Sequence, residues 1–261
     1  SEAIGVSPWV WWADAIPEKR RNLFLKPGLF IEGPPKVQYR GLFINDEEPS
    51  FGTWARKKFG GVNSKMYAHV FELILRLRGN CLWPAMWGKA FNEDDPASPA
   101  LADEFGIVMG TSHHEPMLRA QAEWHRHGKG PWNYRRNAEN LRDFWRFGVE
   151  RNRGFESIVT LGMRGDGDEP MLSEDERVQD NVGLLERIIG DQIAILKDVH
   201  AGKELPPTMW VAYKEALDYL DHGLRVPDDV AIMFADDNWG NVRRLPSKDA
   251  LGRAGGFGLY Y

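Results

Sequence analysis

The chain has 261 residues, 43% of them hydrophobic, and a formal net charge of −5. That length allows one large α/β domain with a sizeable core, and the composition is not that of a disordered chain. The acidic balance gives no support to nucleic-acid binding, which asks for a basic face, no apolar run approaches the ~20 residues of a membrane-spanning helix, and the single cysteine, Cys81, excludes a disulfide framework or a cysteine metal cluster.

Residues 1–38 are broken by Pro8, Pro17, Pro27, Gly33, Pro34 and Pro35 and read as irregular, a lead-in or the tail of a lost N-terminal domain. The main domain runs from Tyr39 to Tyr261. Arg40–Ile44 reads as a short buried parallel strand. Asp46, Glu47 and Glu48 follow it, then Pro49, which suits the first turn of a helix with acids before it. The spacing of Met66, Val70, Leu73, Ile74 and Leu77 predicts one helix over Thr53–Arg78. A second strand, Asn80–Trp83, precedes Trp87. A helix over Pro96–Phe105 leads to a third strand, Gly106–Thr111, which ends in Ser112-His113-His114-Glu115-Pro116. Helices are expected from Pro116 to His125 and over Asn137–Asn152, the second with Leu141, Phe144, Trp145 and Val149 on one face.

Strand four, Ser157–Leu161, ends in Met163-Arg164-Gly165-Asp166-Gly167-Asp168-Glu169-Pro170. Ser173 and Glu176 make a capping box for a long helix with Val178, Val182, Leu185, Ile189, Ile193 and Leu196 at helical spacing. Strand five, Thr208–Ala212, ends in Tyr213-Lys214-Glu215 and a short helix. Strand six, Val230–Ala235, ends in Asp236-Asp237-Asn238-Trp239, and strand seven is Gly256–Tyr261. Strict strand-helix alternation predicts a parallel sheet. A doubly wound sheet gathers its site at one switch point, whereas here polar clusters follow nearly every strand. The expected fold is therefore an α/β (β/α)8 TIM barrel, truncated, with the eighth strand missing from the chain.

Strand-end side chains of such a barrel share one mouth. Those collected there include Asp46, Glu47, Glu48, His113, His114, Glu115, Arg164, Asp166, Asp168, Glu169, Tyr213, Glu215, Asp236, Asp237 and Asn238. Nucleophile-elbow, phosphate-loop and dinucleotide motifs are absent from the sequence. Carboxylates beside tryptophans are the equipment of glycoside hydrolysis, in which one acid protonates the leaving oxygen and another activates water or attacks the sugar. The chain has eleven tryptophans, and Trp9, Trp11, Trp12, Trp83 and Trp87 lie where a sugar ring could stack on them.

Several of these residues have structural readings. An acid in Asp46-Glu47-Glu48 can cap a helix, and Glu115 and Glu169 precede prolines in the same way. Asp166-Gly167-Asp168 resembles part of a calcium loop but lacks its remaining ligands, so a tight turn is expected. Adjacent residues on a strand face opposite ways, so at most one of His113 and His114 should reach the mouth. Glu215 is the residue least easily explained as a cap or core group. A metal-dependent hydrolase using His114, Asp46 and Asp236 and a non-catalytic carbohydrate-binding barrel are the rival readings.

Taken together, YRGLFINDEEPSFGTWA, NCLWPAMW, GTSHHEPM, GMRGDGDEPM and FADDNWGN resemble, in order and spacing, glycoside hydrolase family 115. The resemblance runs across almost the whole chain. It implies a (β/α)8 catalytic barrel from a multidomain xylan α-glucuronidase, which removes α-linked glucuronic acid or its 4-O-methyl ether from glucuronoxylan or its oligosaccharides by inversion. By motif position Glu215 would be the general acid, and Asp168, with Asp46 second, would activate the water. His114, Arg164, Tyr213, Asp236, Asn238 and Trp87 would hold the sugar, with Arg164 the natural bidentate partner for a uronic carboxylate. The resemblance implies no cofactor, metal, nucleic acid or membrane partner, and an extracellular or periplasmic setting for the intact parent. Family members also tend to dimerise, through regions outside this chain.

Overall fold

A computed structural model describes residues 2–29, 31, 33–45, 47–171 and 178–261 of the chain. Asp46, the Glu47 side chain and the proposed Ser173–Glu176 capping box lie outside the described residues. Residues 5–40 form turns and extended chain, largely exposed where described. Seven strands follow: β1 (Gly41–Phe43), β2 (Cys81–Trp83), β3 (Val108–Met109), β4 (Val159–Leu161), β5 (Thr208–Ala212), β6 (Ala231–Ala235) and β7 (Phe257–Tyr260). Among the described residues the helices are α1 (Gly52–Phe59), α2 (Ser64–Arg76), α3 (Phe91–Asp94), α4 (Ala97–Phe105), α5 (Gln121–His127), α6 (Tyr134–Asn152), α7 (Val178–Val199) and α8 (Ala216–Asp221).

All strand pairings are parallel, and neighbours in sequence are neighbours in space. One sheet has the order β1-β2-β3 and the other β4-β5-β6-β7. A single parallel bridge between Met109 and Ser157 joins them. The order never reverses, so the sheet has no switch point of the doubly wound kind. No closed barrel is formed among the described residues.

Side-chain alternation along the strands separates two apolar layers. In β5, Trp210 and Ala212 face the helices, in a core with Trp145, Leu185 and Ile188. Met209 and Val211 point the other way, into a cluster that also takes Trp83, Val108 and Ile158, with Phe43, Met233 and Tyr260 packed against it. This inner cluster draws on six of the seven strands and on Ile158, which immediately precedes β4. Tyr260 of β7 lies 5.9 Å from Trp83 and 5.8 Å from Phe43, ring to ring, so the last strand reaches the first two through aromatic contact. Helices α1, α2 and α4 cover the outer face of β1–β3, where Met66, Phe71 and Leu82 are fully buried. Each such side chain contributes roughly 1.5–3 kcal/mol by leaving water.

Three predicted elements differ from those observed. The single helix over Thr53–Arg78 is two. Gly60 ends α1 with φ of 81°, a left-handed conformation suited to glycine, and Asn63 starts α2 by accepting a hydrogen bond from the Met66 amide. The helix expected from Pro116 to His125 is one turn, Pro116–Leu118, and then α5, because Met117 and Leu118 both adopt φ of 59°. Between β6 and β7 the alternation fails: the connection contains only the single turn Lys248–Ala250 among short loops. Gly240, Pro246, Gly252 and Gly255 punctuate that stretch.

The turn after β3 is seated on α6 at Gly148. A Cβ there would come within 2.4 Å of the Met117 carbonyl oxygen and 2.7 Å of Arg119. Gly148→Ala should therefore force this turn off the helix and lower stability by about 1–3 kcal/mol, the usual range for overpacking. Urea denaturation would read the loss directly.

Candidate active site

The C-terminal ends of the strands converge on one rim. Arg164, three residues beyond β4, is 5% exposed. Its Nε donates to Glu215 Oε1 at 2.9 Å and its Nη2 to Glu215 Oε2 at 2.8 Å, a bidentate pair. The remaining nitrogen, Nη1, donates to the Asp168 carboxylate and to the Asp168 carbonyl. One guanidinium thus joins the acid after β5 to the acid after β4. Trp132 Nε1 donates to the Arg164 carbonyl at 2.8 Å and fixes the backbone behind it, and Tyr213 presents its ring 5.7 Å from the cation. Burial alone would push the Arg164 guanidinium down, but the Glu215 and Asp168 carboxylates outweigh it and raise it.

Asp168 is crowded by donors. His113 Nε2 lies 2.8 Å from its Oδ1, and Lys214 Nζ lies 3.4 Å from its Oδ2. Burial works to raise the Asp168 carboxyl, yet His113 and Arg164 together hold it well below the usual carboxylate range. Its backbone has φ of 65°, Lys214 has 51° and Asn238 has 64°. Non-glycine residues rarely adopt this region, and here they mark the ends of β4, β5 and β6.

His114 contrasts with His113. It is 1% exposed, stacks on Trp87 at 5.3 Å between ring centroids, and neither ring nitrogen has a hydrogen-bond partner among the described residues. Burial pushes it down to about 4, so the ring is neutral at neutral pH. Both histidines reach the site because residues 112–115 form a turn rather than a strand, so the alternation rule that allowed only one of them does not apply. His113 packs 4.4 Å from the Tyr213 ring, and Asn238 donates to the Tyr213 hydroxyl at 3.2 Å.

Other predicted residues lie elsewhere or have structural tasks. Asp236 stands at the rim, where its Oδ2 accepts the Gly240 amide at 2.9 Å. The Tyr260 hydroxyl is pushed up by burial first, and by the charge of Asp236 among other groups. Asp237 closes its own loop, accepting from the Trp239 and Asn241 amides and from Arg243. Asp166 turns toward α5, to Gln121 and His125. Glu115 is buried and does not cap the turn that begins at Pro116; it accepts the amide of Gln121, the first residue of α5, at 2.9 Å instead. Glu48 pairs with Arg56.

Trp11 and Trp12 do not form a sugar platform at the rim. Trp11 donates to Glu72 of α2 and Trp12 packs on Trp54 of α1, because that segment runs along the outer helices. His113 and Lys214 are the site residues that sequence reasoning undervalued. Their only signal was adjacency to His114 and Glu215.

His113, His114 and Asp168 bring one potential ligand atom each within 4.8 Å of one another. They do not fit a divalent ion well, since Asp168 already accepts from a guanidinium and faces an ammonium. The rival set of His114, Asp46 and Asp236 includes Asp46, which lies outside the described residues.

The family model of glycosyl hydrolase family 115 matches residues 32–261. The chain belongs to that family. A solved structure of a family 115 enzyme superimposes with a TM-score of 0.91 at 38% identity, covering 100% of this chain and 35% of the other. That protein, BtGH115A, is described as a 4-O-methyl-α-glucuronidase with specificity for decorated arabinogalactans. No curated protein matches the chain. This family 115 chain thus spans about a third of the solved relative's length, and what it spans includes the whole Arg164 cluster.

Because His114 is held neutral in the fold, acid must destabilise it. The unfolded ring binds a proton near pH 6.5 and the folded ring only near 4, so stability contributed above pH 6.5 is lost as pH falls toward 4. The expected loss is about 3 kcal/mol from this residue alone. His114→Gln should flatten the pH dependence of the denaturation midpoint across that window.

Proposed function

We propose that the protein carrying this chain removes α-linked glucuronic acid or 4-O-methylglucuronic acid side groups from a plant polysaccharide, with inversion at the anomeric carbon. The scaffold is read as a truncated (β/α)8 barrel, with residues 39–261 its catalytic part and residues 1–38 a lead-in. Strands in unreversed order, helices outside, one aromatic layer inside and polar groups gathered at the C-terminal strand ends all support that reading.

The observation that carries the function is the pair of carboxyls on either side of one guanidinium. Glu215 is the proton donor. It lies at the more open edge of the cluster, its side chain 22% exposed against 13% for Asp168. Asp168 orients and activates the water, with Asp46 the second choice. With Arg164 between them the two acids cannot approach each other, and an inverting pair needs that separation, roughly 6.5–9.5 Å, to admit water. In the reaction the Glu215 proton passes to the glycosidic oxygen as the bond to the uronic acid breaks. A water attacks the anomeric carbon from the opposite face and gives its proton to Asp168. Trp87 and His114 offer a flat aromatic surface and two unsatisfied nitrogens to the sugar. Tyr213, Asn238 and Asp236 line the rim where its hydroxyls would bind.

Glucuronoxylan is the first substrate to test. The solved relative's specificity makes decorated arabinogalactan the second. Glucuronic acid released by the full-length protein should appear first as the β-anomer by NMR. Glu215→Gln should lower turnover by roughly 10²–10⁴-fold, the usual share of a general acid. First appearance of the α-anomer would sink inversion, and no release from either polymer would sink the substrate class.

A further inference from the structure

The pairing of Glu215 raises a chemical difficulty that points to how the site works. A carboxylate that accepts two guanidinium N–H bonds uses both oxygens as acceptors and has no proton to give. The resting site therefore holds its acid in the wrong form. The same guanidinium is the best partner in the site for a substrate carboxylate, and in the resting state all three of its nitrogens already serve Glu215 and Asp168.

We propose that Arg164 is an exchange point: the carboxylate of a bound uronic acid takes the place of Glu215 on the guanidinium, and Glu215, once released, takes up a proton as the substrate binds. This rests on the reading of Glu215 as proton donor and of a uronic acid as the sugar. The charges around Arg164 favour it. A third anion would join Glu215 and Asp168 there, and among the described residues the further positive charge on Asp168 comes from Lys214, and from His113 when it is protonated. In so desolvated a place the repulsion is relieved most readily by neutralising one carboxylate.

Asp168 keeps His113 and Lys214 as donors when Arg164 turns to the substrate, so it stays ionised. Glu215 loses the partner that both its oxygens faced. The other titratable groups around it include Tyr213, Asp218, His114 and Tyr219, whose phenol is pushed up by burial to about 12. His114 is enclosed by Trp87 and takes a proton reluctantly. The proton comes from solvent on binding and leaves with the glycosidic oxygen during cleavage, so no other reactant is needed.

The consequence is selectivity in the chemical step. A neutral sugar in the same position leaves Glu215 on Arg164 and without its proton. Only a uronic acid arms the enzyme.

Proton uptake is the direct readout. The full-length protein would be titrated calorimetrically at neutral pH with glucuronate, itself fully ionised, in buffers of different ionisation enthalpy. About one proton should be taken up per glucuronate bound. Glu215→Gln should still bind glucuronate but with no uptake. Binding by the wild-type protein without uptake would overturn the exchange while leaving the uronic-acid reading intact. Unchanged uptake in Glu215→Gln would also overturn it, because the proton would then reside on a histidine. Failure of glucuronate to bind would overturn the uronic-acid reading and the exchange with it. If Glu215→Gln does not fold, Glu215→Ala takes its place in the same titration, with the same loss of uptake expected and unchanged uptake again overturning the exchange.

Discussion

A guanidinium with 5% of its surface exposed must be neutralised where it stands, and the arrangement of the rim follows from that. Its two carboxylates come from different strands, so the β4–β5 register fixes whether they can meet it. Leu161 pairs with Trp210, so the register brings the segment of Arg164 alongside the segment that ends in Glu215, and the long arginine side chain reaches across to the acid. Gly162 makes the turn possible. Its φ is 96°, and a Cβ would come within 2.9 Å of the Trp210 ring. Asp168 and Lys214 hold left-handed conformations costing about 1–3 kcal/mol each, and the charge-assisted bonds that Arg164 and Lys214 make to the Asp168 carboxylate offset such costs.

The aromatic layer inside the strands has a second role besides packing. Trp83, Phe43 and Tyr260 meet where β7 comes back toward β1 and β2, without hydrogen bonds between those strands. Tyr260 therefore carries contact from the last strand to the first, and its hydroxyl feels both Asp236 and Tyr213. Packing below the rim and electrostatics at the rim share the same side chain. The outer helices hold that layer from behind, through the continuous core that includes Trp145, Leu185 and Trp210.

Legibility in the sequence followed the physical source of each signal. Strand β5 is where the apolar run put it, since Met209 to Ala212 are buried on both faces. Helices α6 and α7 were legible from one apolar stripe each. The break between α1 and α2 was missed although Gly60 and Gly61 announced it, because the apolar spacing that defined the helix came almost wholly from its second half. Strand geometry allows only one of His113 and His114 at the mouth, but both lie in a turn, and turns such as 112–119 have no period to read. Strand-end position gathered Glu215, Asp168 and Arg164, and family likeness supplied the roles proposed for them. That Arg164 would be bound to both acids was legible in neither motif nor spacing, because it depends on strands β4 and β5 being adjacent and in register.

Some buried polar groups in this structure are satisfied, while others, Ser98 and Trp145 among the helices as well as His114 at the rim, have side-chain atoms with no partner among the described residues. Gln192 is fully buried and satisfied twice by Gly162, accepting its amide at 2.7 Å and donating to its carbonyl at 2.8 Å. Asn152 donates to the Gly148 carbonyl within α6, and Glu115 accepts the amide of Gln121, the first residue of α5. His114 is as deeply buried, and neither of its nitrogens has a hydrogen-bond partner among the described residues. Leaving such a group unsatisfied costs about 1–3 kcal/mol, and at His114 that cost falls beside Trp87 and the Arg164 cluster. Stored cost beside an over-committed arginine is the pattern of a surface shaped for another molecule, one bringing acceptors or donors for the imidazole and a carboxylate for the guanidinium.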